Sequence, residues 1–219
     1  ERAVLARLAV FGDGCTAEAA EAVCDPDPDV LGRLVDRSLV VLDTDGGTPR
    51  YRLLESVAAF CLDRLADAAA VRARHAAHYT ALAEAADPHL RGADQQHWLA
   101  RLDAESANLR AALAHGGGLR LANALTWYWY LRGRLTEARR ALTLDGGPAE
   151  RARADAWRAG FALMQGESIP AAQVRAAVSG AADHRITWFV AAALISRNDL
   201  AAAGELLTAA LDGADRWTE

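Results

Sequence analysis

Residues 39–53 read Leu-Val-Val-Leu-Asp-Thr-Asp-Gly-Gly-Thr-Pro-Arg-Tyr-Arg-Leu, and this stretch decides the fold. The aliphatic run 39–42 predicts a strand, and residues 50–53 predict the returning strand. Between them, Asp45-Gly46-Gly47 predicts a tight turn, because glycine readily adopts the positive φ of hairpin turns. The sequence therefore predicts one β-hairpin here, and it is the only β signal that we find in the chain.

Helical patterns flank this hairpin on both sides. Apolar residues recur at helical spacing in three segments before it and one after it: 2–11, 17–24, 28–38 and a helix from about Glu55. Thr16 is the predicted N-cap of the second helix. Asp27 and Pro28 are the predicted start of the third helix. Three helices, a hairpin and a further helix is the order of a winged helix-turn-helix domain, which we assign to residues 1–70.

Every segment after residue 70 has a helical pattern. Residues 71–117 are predicted to form a helical connector that ends at three consecutive glycines. Beyond it, turns at Gly133, Gly166 and Asn198 follow one another at spacings of 33 and 32 residues, close to the period of about 34 residues of tetratricopeptide repeats. The fold class is therefore mainly α: a winged helix-turn-helix domain with one β-hairpin, then an α-helical solenoid resembling tetratricopeptide repeats over residues 118–219.

An alanine stands five positions after each turn residue, at Ala138, Ala171 and Ala203. Leucines follow the first and third alanines at the position where the repeat packs a large side chain. Arg175 occupies that position in the middle repeat, so we expect its register to be shifted or degenerate.

Composition and charge exclude several classes of chemistry. All 24 basic residues are arginine, so the chain cannot supply a Walker A lysine or a Schiff-base lysine. No nucleophile or metalloprotease motif occurs, and we predict that the chain is not an enzyme. His75 and His78 are one helical turn apart, but no third ligand stands at helical spacing, so we predict no metal site. The spacing of Cys15, Cys24 and Cys61 matches neither a disulfide framework nor a metal site, so we predict that they are reduced thiols in a cytoplasmic protein. The sequence predicts no association with a membrane.

Two groups of residues are candidates for binding. On the winged helix, the candidate DNA contacts are Arg33, Arg37, Arg50 and Arg52. Residues 1–70 carry 7 Arg against 13 Asp and Glu, a net charge of −6. This charge repels phosphates, so we expect little direct binding of nucleic acid and favour an interaction with protein.

Within the repeats, Trp127-Tyr128-Trp129-Tyr130 sweeps most of a helix circumference, so these side chains cannot all face one core. Either they pack between repeats, or some of them line a partner-binding face, for which the candidates are Tyr128, Tyr130, Arg132 and Arg134.

Six stretches of the chain carry a resemblance to a known family: residues 1–11, 16–24, 34–41, 50–55, 74–79 and 102–113. Together they resemble the region after the nucleotide-binding module of STAND-type regulatory ATPases, especially the AfsR/SARP-like and LuxR-like large bacterial transcriptional regulators. The resemblance implies a winged helix and sensor repeats that bind a protein, peptide or small-molecule effector. It also implies an ATPase module, with ATP or ADP and Mg²⁺, that lies outside this chain, and no cofactor within the chain.

Two functions follow as hypotheses. In the first, the chain is a non-catalytic regulatory region in which the winged helix couples the ATPase module to the repeats. In the second, the winged helix contacts DNA directly, and the repeats serve as an effector or dimerisation arm.

Overall fold

The computed structural model describes residues 1–27, 29–44 and 47–214, and the chain divides into two compact units, Glu1–Gly117 and Gly118–Glu219. The first unit contains seven helices and one hairpin among its described residues: α1 (Arg2–Leu8), α2 (Ala17–Cys24), α3 (Val30–Asp36), β1 (Val41–Asp43), β2 (Arg50–Arg52), α4 (Glu55–Leu62), α5 (Ala68–Ala86), α6 (Gln95–Ala104) and α7 (Ser106–Ala112). Between α5 and α6 lies a 3₁₀ turn, Asp87–Arg91, and a π-helical turn, Leu113–Gly117, ends the unit.

The predicted winged helix is confirmed by the order of α1 to α4 around the hairpin. The two strands pair antiparallel, with Leu42 opposite Tyr51. The turn predicted at Asp45-Gly46-Gly47 falls mostly on residues outside the described part of the chain, as does Pro28. Thr16 caps α2 as predicted, and its hydroxyl accepts a hydrogen bond from the Ala19 amide at 3.2 Å.

A third backbone segment joins the hairpin of β1 and β2, which we call the wing. Cys15 forms an isolated antiparallel bridge with Tyr51: the Cys15 amide donates to the Tyr51 carbonyl at 3.0 Å, and the Tyr51 amide donates back at 2.8 Å. The loop between α1 and α2 is thereby fixed to strand β2. A single-residue bridge leaves no alternating pattern, so the sequence gives no sign of it.

Helices α5 to α7, which the sequence presents as a connector, pack against the winged helix within the same compact unit. The rings of His75 and Tyr79 on α5 lie 5.2 and 6.4 Å from the ring of Phe11, which follows α1. All three side chains are buried. Residues 71–117 therefore extend the core of the winged helix.

The second unit consists of helices throughout its described residues: α8 (Gly118–Ala124), α9 (Thr126–Leu131), α10 (Leu135–Ala141), α11 (Pro148–Met164), α12 (Ala171–Ala181), α13 (His184–Ser196) and α14 (Leu200–Ala214). The turns after α9, α11 and α13 share one backbone geometry, in which Gly133, Gly166 and Asn198 have positive φ angles of 67°, 88° and 62°. In each, the next residue's amide bonds back to a carbonyl five positions earlier, as from Arg134 to Trp129. These are Schellman turns.

The middle helix pair differs in register. Its loop between Met164 and Ala171 is longer than the loops after Leu131 and Ser196, so Ala171 becomes the first residue of α12 and is exposed. The fourth residues of α10, α12 and α14 are Ala138, Val174 and Ala203, and all three are buried. The packing position in the middle pair is thus occupied by Val174 instead of Ala171.

The Schellman turn predicts opposite effects for two glycine-to-alanine changes in the second unit. An added Cβ meets nothing within 4 Å at either Gly133 or Gly204, so only backbone conformation separates them. Gly133→Ala should lower the free energy of unfolding by about 1 kcal/mol, because φ is positive there. Gly204→Ala, inside α14, should raise it by up to about 1 kcal/mol. Urea unfolding measures both changes, and equal signs would contradict the assignment.

Candidate functional site

Arg50 is turned into the first unit, where most of its side chain is covered. Its guanidinium forms a two-pronged ion pair with the carboxylate of Glu105: Nη1 pairs with Oε1, and Nη2 lies 3.2 Å from Oε2. Nη2 also donates to the Gly14 carbonyl at 3.0 Å. The exposed fractions of the two side chains are 11% and 7%. Arg50, a candidate DNA contact from the sequence, therefore connects the wing to the junction between α6 and α7.

Glu105 is the centre of a buried polar network. Its Oε2 accepts hydrogen bonds from the Tyr79 hydroxyl at 2.9 Å and from Asn108 Nδ2 at 2.8 Å, in addition to Arg50. A buried carboxylate that has lost its water needs such donors, because an unpaired buried charge costs several kcal/mol. Both oxygens of Glu105 are satisfied by residues from α5, α7 and the wing.

Asn108 extends this network to the loop before α2. Its Nδ2 also donates to the Gly14 carbonyl at 3.0 Å, and its Oδ1 accepts from the Gly12 amide at 2.9 Å. Gly14 has φ 70°, and a Cβ there would lie 2.6 Å from the Tyr51 carbonyl oxygen, so this position requires glycine. We call the five residues Gly14, Arg50, Tyr79, Glu105 and Asn108 the wing joint.

Burial keeps Tyr79 and the titratable neighbours of the wing joint, His75 and Cys15, uncharged. Burial and the negative charge of Glu105 raise the pKa of Tyr79. Burial lowers the pKa of His75 to about 4, against the opposing effect of Asn108, whose Oδ1 lies 3.4 Å from the imidazole Nε2. Burial also raises the pKa of the Cys15 thiol. The Arg50–Glu105 pair therefore carries the charges of this region.

The other three candidate DNA contacts stand at the surface. Arg33 on α3 and Arg37, the residue that follows this helix, both pair with Glu1, with Arg33 Nε 2.9 Å from its Oε1, and their side chains are 44% and 60% exposed. The hydrogen bond from Arg33 lowers the pKa of Glu1. Arg52 pairs with Asp13 and Asp43. Exposed pairs of this kind contribute at most about 1 kcal/mol, so these guanidinium groups remain available to phosphates.

The structure separates the four candidate partner residues of the repeats. Tyr128 is buried, and its hydroxyl accepts a hydrogen bond from Arg134 Nη1 at 3.4 Å, so it belongs to the core instead of a binding face. Tyr130 is half-buried, with its ring 5.2 Å from that of Phe189. Arg132 and Arg134 are exposed. Tyr130, Arg132 and Arg134 thus remain candidates at the end of α9.

Tyr130 belongs to an aromatic cluster that spans three helices. Its members are Trp127, Tyr130, Trp157, Phe161 and Phe189, whose neighbouring ring centroids lie 4.9 to 6.5 Å apart. The last three come from α11 and α13, and sequence reasoning missed them because single aromatics at distant positions give no local signal. Edge-to-face and offset pairs of this type stabilise packing between helices.

Residues 1–27, 29–44 and 47–214 contain no group of three or more His, Cys, Asp or Glu side chains placed to hold a metal ion. No helix in this part of the chain is both long enough and apolar enough to cross a membrane.

The wing joint predicts an unequal response to two glutamate substitutions in the first unit. Glu105→Gln should lower the free energy of unfolding by about 3 kcal/mol, because it leaves the buried Arg50 charge without a counter-charge. Glu18→Gln removes an exposed pair, in which the Arg101 side chain is 40% and the Glu18 side chain 72% exposed. This change should lower the free energy of unfolding by less than about 1 kcal/mol. Thermal or urea unfolding measures both, and similar losses would contradict a buried, coupled pair.

Comparison with known proteins agrees with the winged-helix arrangement of the first unit. Residues 1–66 match the family model of a winged helix-turn-helix domain. The chain is 40% identical over 153 residues to proteins named "Putative HTH-type transcriptional regulator" in Mycobacterium tuberculosis and Mycobacterium bovis, in alignments covering 63% of this chain and 17% of each relative. An uncharacterized protein of M. tuberculosis is 43% identical over 89 residues, which is 36% of this chain and 23% of that protein. No solved structure matches the chain.

The aligned part is thus less than a fifth of the length of the first of these relatives. Both the domain match and the order of helices and strands identify the same part of the chain. Residues 1–66 are therefore a winged helix-turn-helix domain, and the chain is homologous to mycobacterial proteins described as HTH-type transcriptional regulators.

Proposed function

We propose that this chain is a non-catalytic regulatory region of a STAND-type transcription regulator. The winged helix couples an ATPase module outside the chain to helical repeats that bind an effector or a protein partner. The wing joint is the observation that supports this proposal best. A wing that reads DNA needs its cations at the surface, whereas Arg50, one of the two arginines of β2, holds the wing to α6 and α7 from inside.

The nucleotide chemistry in this proposal belongs to the module outside the chain, which would bind ATP or ADP with Mg²⁺. The sequence has no lysine with which to form a Walker A loop. The resemblance to STAND regulators is the support for that module. In this proposal, the chain itself performs no catalysis and works in the cytoplasm.

The repeat unit is proposed to be the sensor. Its Schellman turns at Gly133, Gly166 and Asn198 recur at nearly the period of tetratricopeptide repeats. The candidate contact residues are Tyr130, Arg132 and Arg134. A ligand there can shift the regulator between states only if it binds one state more tightly than the other.

A second function, direct DNA binding by the winged helix, is favoured by a separate observation. Arg33 lies on α3, the second helix of the helix-turn-helix, Arg37 follows the last residue of that helix, and both are exposed. The relatives are named as HTH-type regulators, and this name together with the winged helix weighs against our expectation of little nucleic-acid binding. The pairs with Glu1 are weak enough to be exchanged for phosphates.

Coupling predicts an effect on ATP hydrolysis in the longer gene product that contains this chain. Below its unfolding temperature, Glu105→Gln should change the hydrolysis rate several-fold, because the joint no longer transmits the position of the wing. The exposed-pair variant Glu18→Gln should leave the rate unchanged. A gene product without a Walker A loop, or equal rates in both variants and the parent protein, would overturn the proposal.

DNA binding by the chain distinguishes the two functions. Fluorescence anisotropy of a labelled duplex at low salt should show no salt-sensitive binding if the winged helix acts only as a coupling element. Binding that weakens with salt, and that disappears in the double variant Arg33→Ala/Arg37→Ala but not in Arg158→Ala, would establish the second function instead.

A further inference from the structure

A cleft of about 880 Å³ opens in the first unit, beside the wing joint. Strand β2 and the start of α2 form one side, and α5 and α6 form the other. This volume falls in the range of small-molecule sites, which is roughly 300–1,000 Å³. The cleft lies outside the repeats, where we place the effector of the proposed function.

The floor of the cleft contains the buried groups of the wing joint. Tyr79 and Glu105 are both buried, and Arg50 covers the carboxylate from the wing side. Both oxygens of Glu105 already accept hydrogen bonds. The acid at the floor is therefore neutralised by its neighbours and offers little attraction to a cation.

The rim of the cleft carries cationic and polar groups that are at least partly exposed. Arg52 stands on β2, where it pairs with Asp13 and Asp43, and His97 and Arg101 stand on α6. Arg101 pairs with Glu18 at 3.3 Å, but their side chains are 40% and 72% exposed. Such an exposed pair is weak, so Arg101 can turn to a ligand at small cost.

His78 on α5 adds a polar group inside the cleft. Burial lowers its pKa, so the imidazole is neutral near pH 7 and can exchange hydrogen bonds with a ligand. Between the polar groups, the wall is largely apolar and is formed by three alanines, one aromatic ring and one leucine: Ala17, Ala100, Ala104, Tyr51 and Leu82. A wall of this kind accommodates a flat apolar body.

We propose that this cleft binds a small organic anion, with one carboxylate or phosphate group at the Arg101 rim and a flat apolar body against the alanine wall. Arginine suits both groups because its planar fork can form two hydrogen bonds at once. A bound anion would contact the wing through Arg52 and α6 through Arg101. It would thereby strengthen the attachment of the wing to the helices behind it.

This inference stands apart from the proposed function, since ligand binding can be measured on the chain alone. The probes are phenyl phosphate, benzoate and the neutral benzyl alcohol, titrated by calorimetry into the full chain. Saturable binding of one site is expected for either anion, and binding at least about tenfold weaker for benzyl alcohol. A preference between the anions identifies the acidic group.

Three variants give the test its specificity. Arg101→Ala should weaken binding of the anion at least about tenfold, because it removes a hydrogen bond between charged groups. Arg158→Ala is the matched control, because Arg158 is 43% exposed and pairs with Asp155 at 3.4 Å. Ala104→Trp fills the cleft from an exposed position and should abolish binding while circular dichroism stays native.

The proposal is overturned by any of four results. These are no saturable binding of either anion, equal affinity for benzyl alcohol, equal weakening in Arg101→Ala and Arg158→Ala, and undiminished binding in a folded Ala104→Trp variant. If Arg101→Ala fails to fold, the Ala104→Trp measurement decides the question alone.

Discussion

The ion pair between Arg50 and Glu105 is the interaction on which the first unit depends. It joins a short hairpin, which would be marginally stable alone, to a junction between two helices more than fifty residues away along the chain. Because the pair is buried and hydrogen-bonded on every side, either residue is costly to remove, although the intact pair adds little net stability. The wing is therefore positioned by the helices behind it, and its geometry follows from theirs.

The arginines of the winged helix fall into two classes by burial. Arg50 has exchanged water for a fixed carboxylate, whereas Arg33 and Arg37 share a single exposed partner, Glu1. A helix with one exposed guanidinium group, and a second directly after its end, fits nucleic-acid recognition better than the net charge of the domain suggests. Local placement of charge, and not its sum, decides which surface can approach a phosphate.

Local patterns predicted most of the fold and little of the wing joint. The hairpin, the cap at Thr16 and the three turns of the repeats each depend on residues adjacent in sequence. Glu105 and Tyr128 depend on distant contacts: Glu105 stands in a polar stretch typical of a helix surface, and Tyr128 stands among three other aromatics that leave its direction open. Burial at such positions is decided by tertiary packing, which single-sequence patterns do not encode.

The bridge between Cys15 and Tyr51 allows the attachment of the wing to be followed through the reactivity of a thiol. The Cys15 thiol is fully buried, and its raised pKa keeps it protonated while strand β2 lies beside it. Since only an exposed thiolate reacts readily with alkylating reagents, the rate of labelling at this cysteine counts how often the wing separates from the loop. Labelling of this native cysteine therefore reports the opening of the hairpin without an engineered thiol.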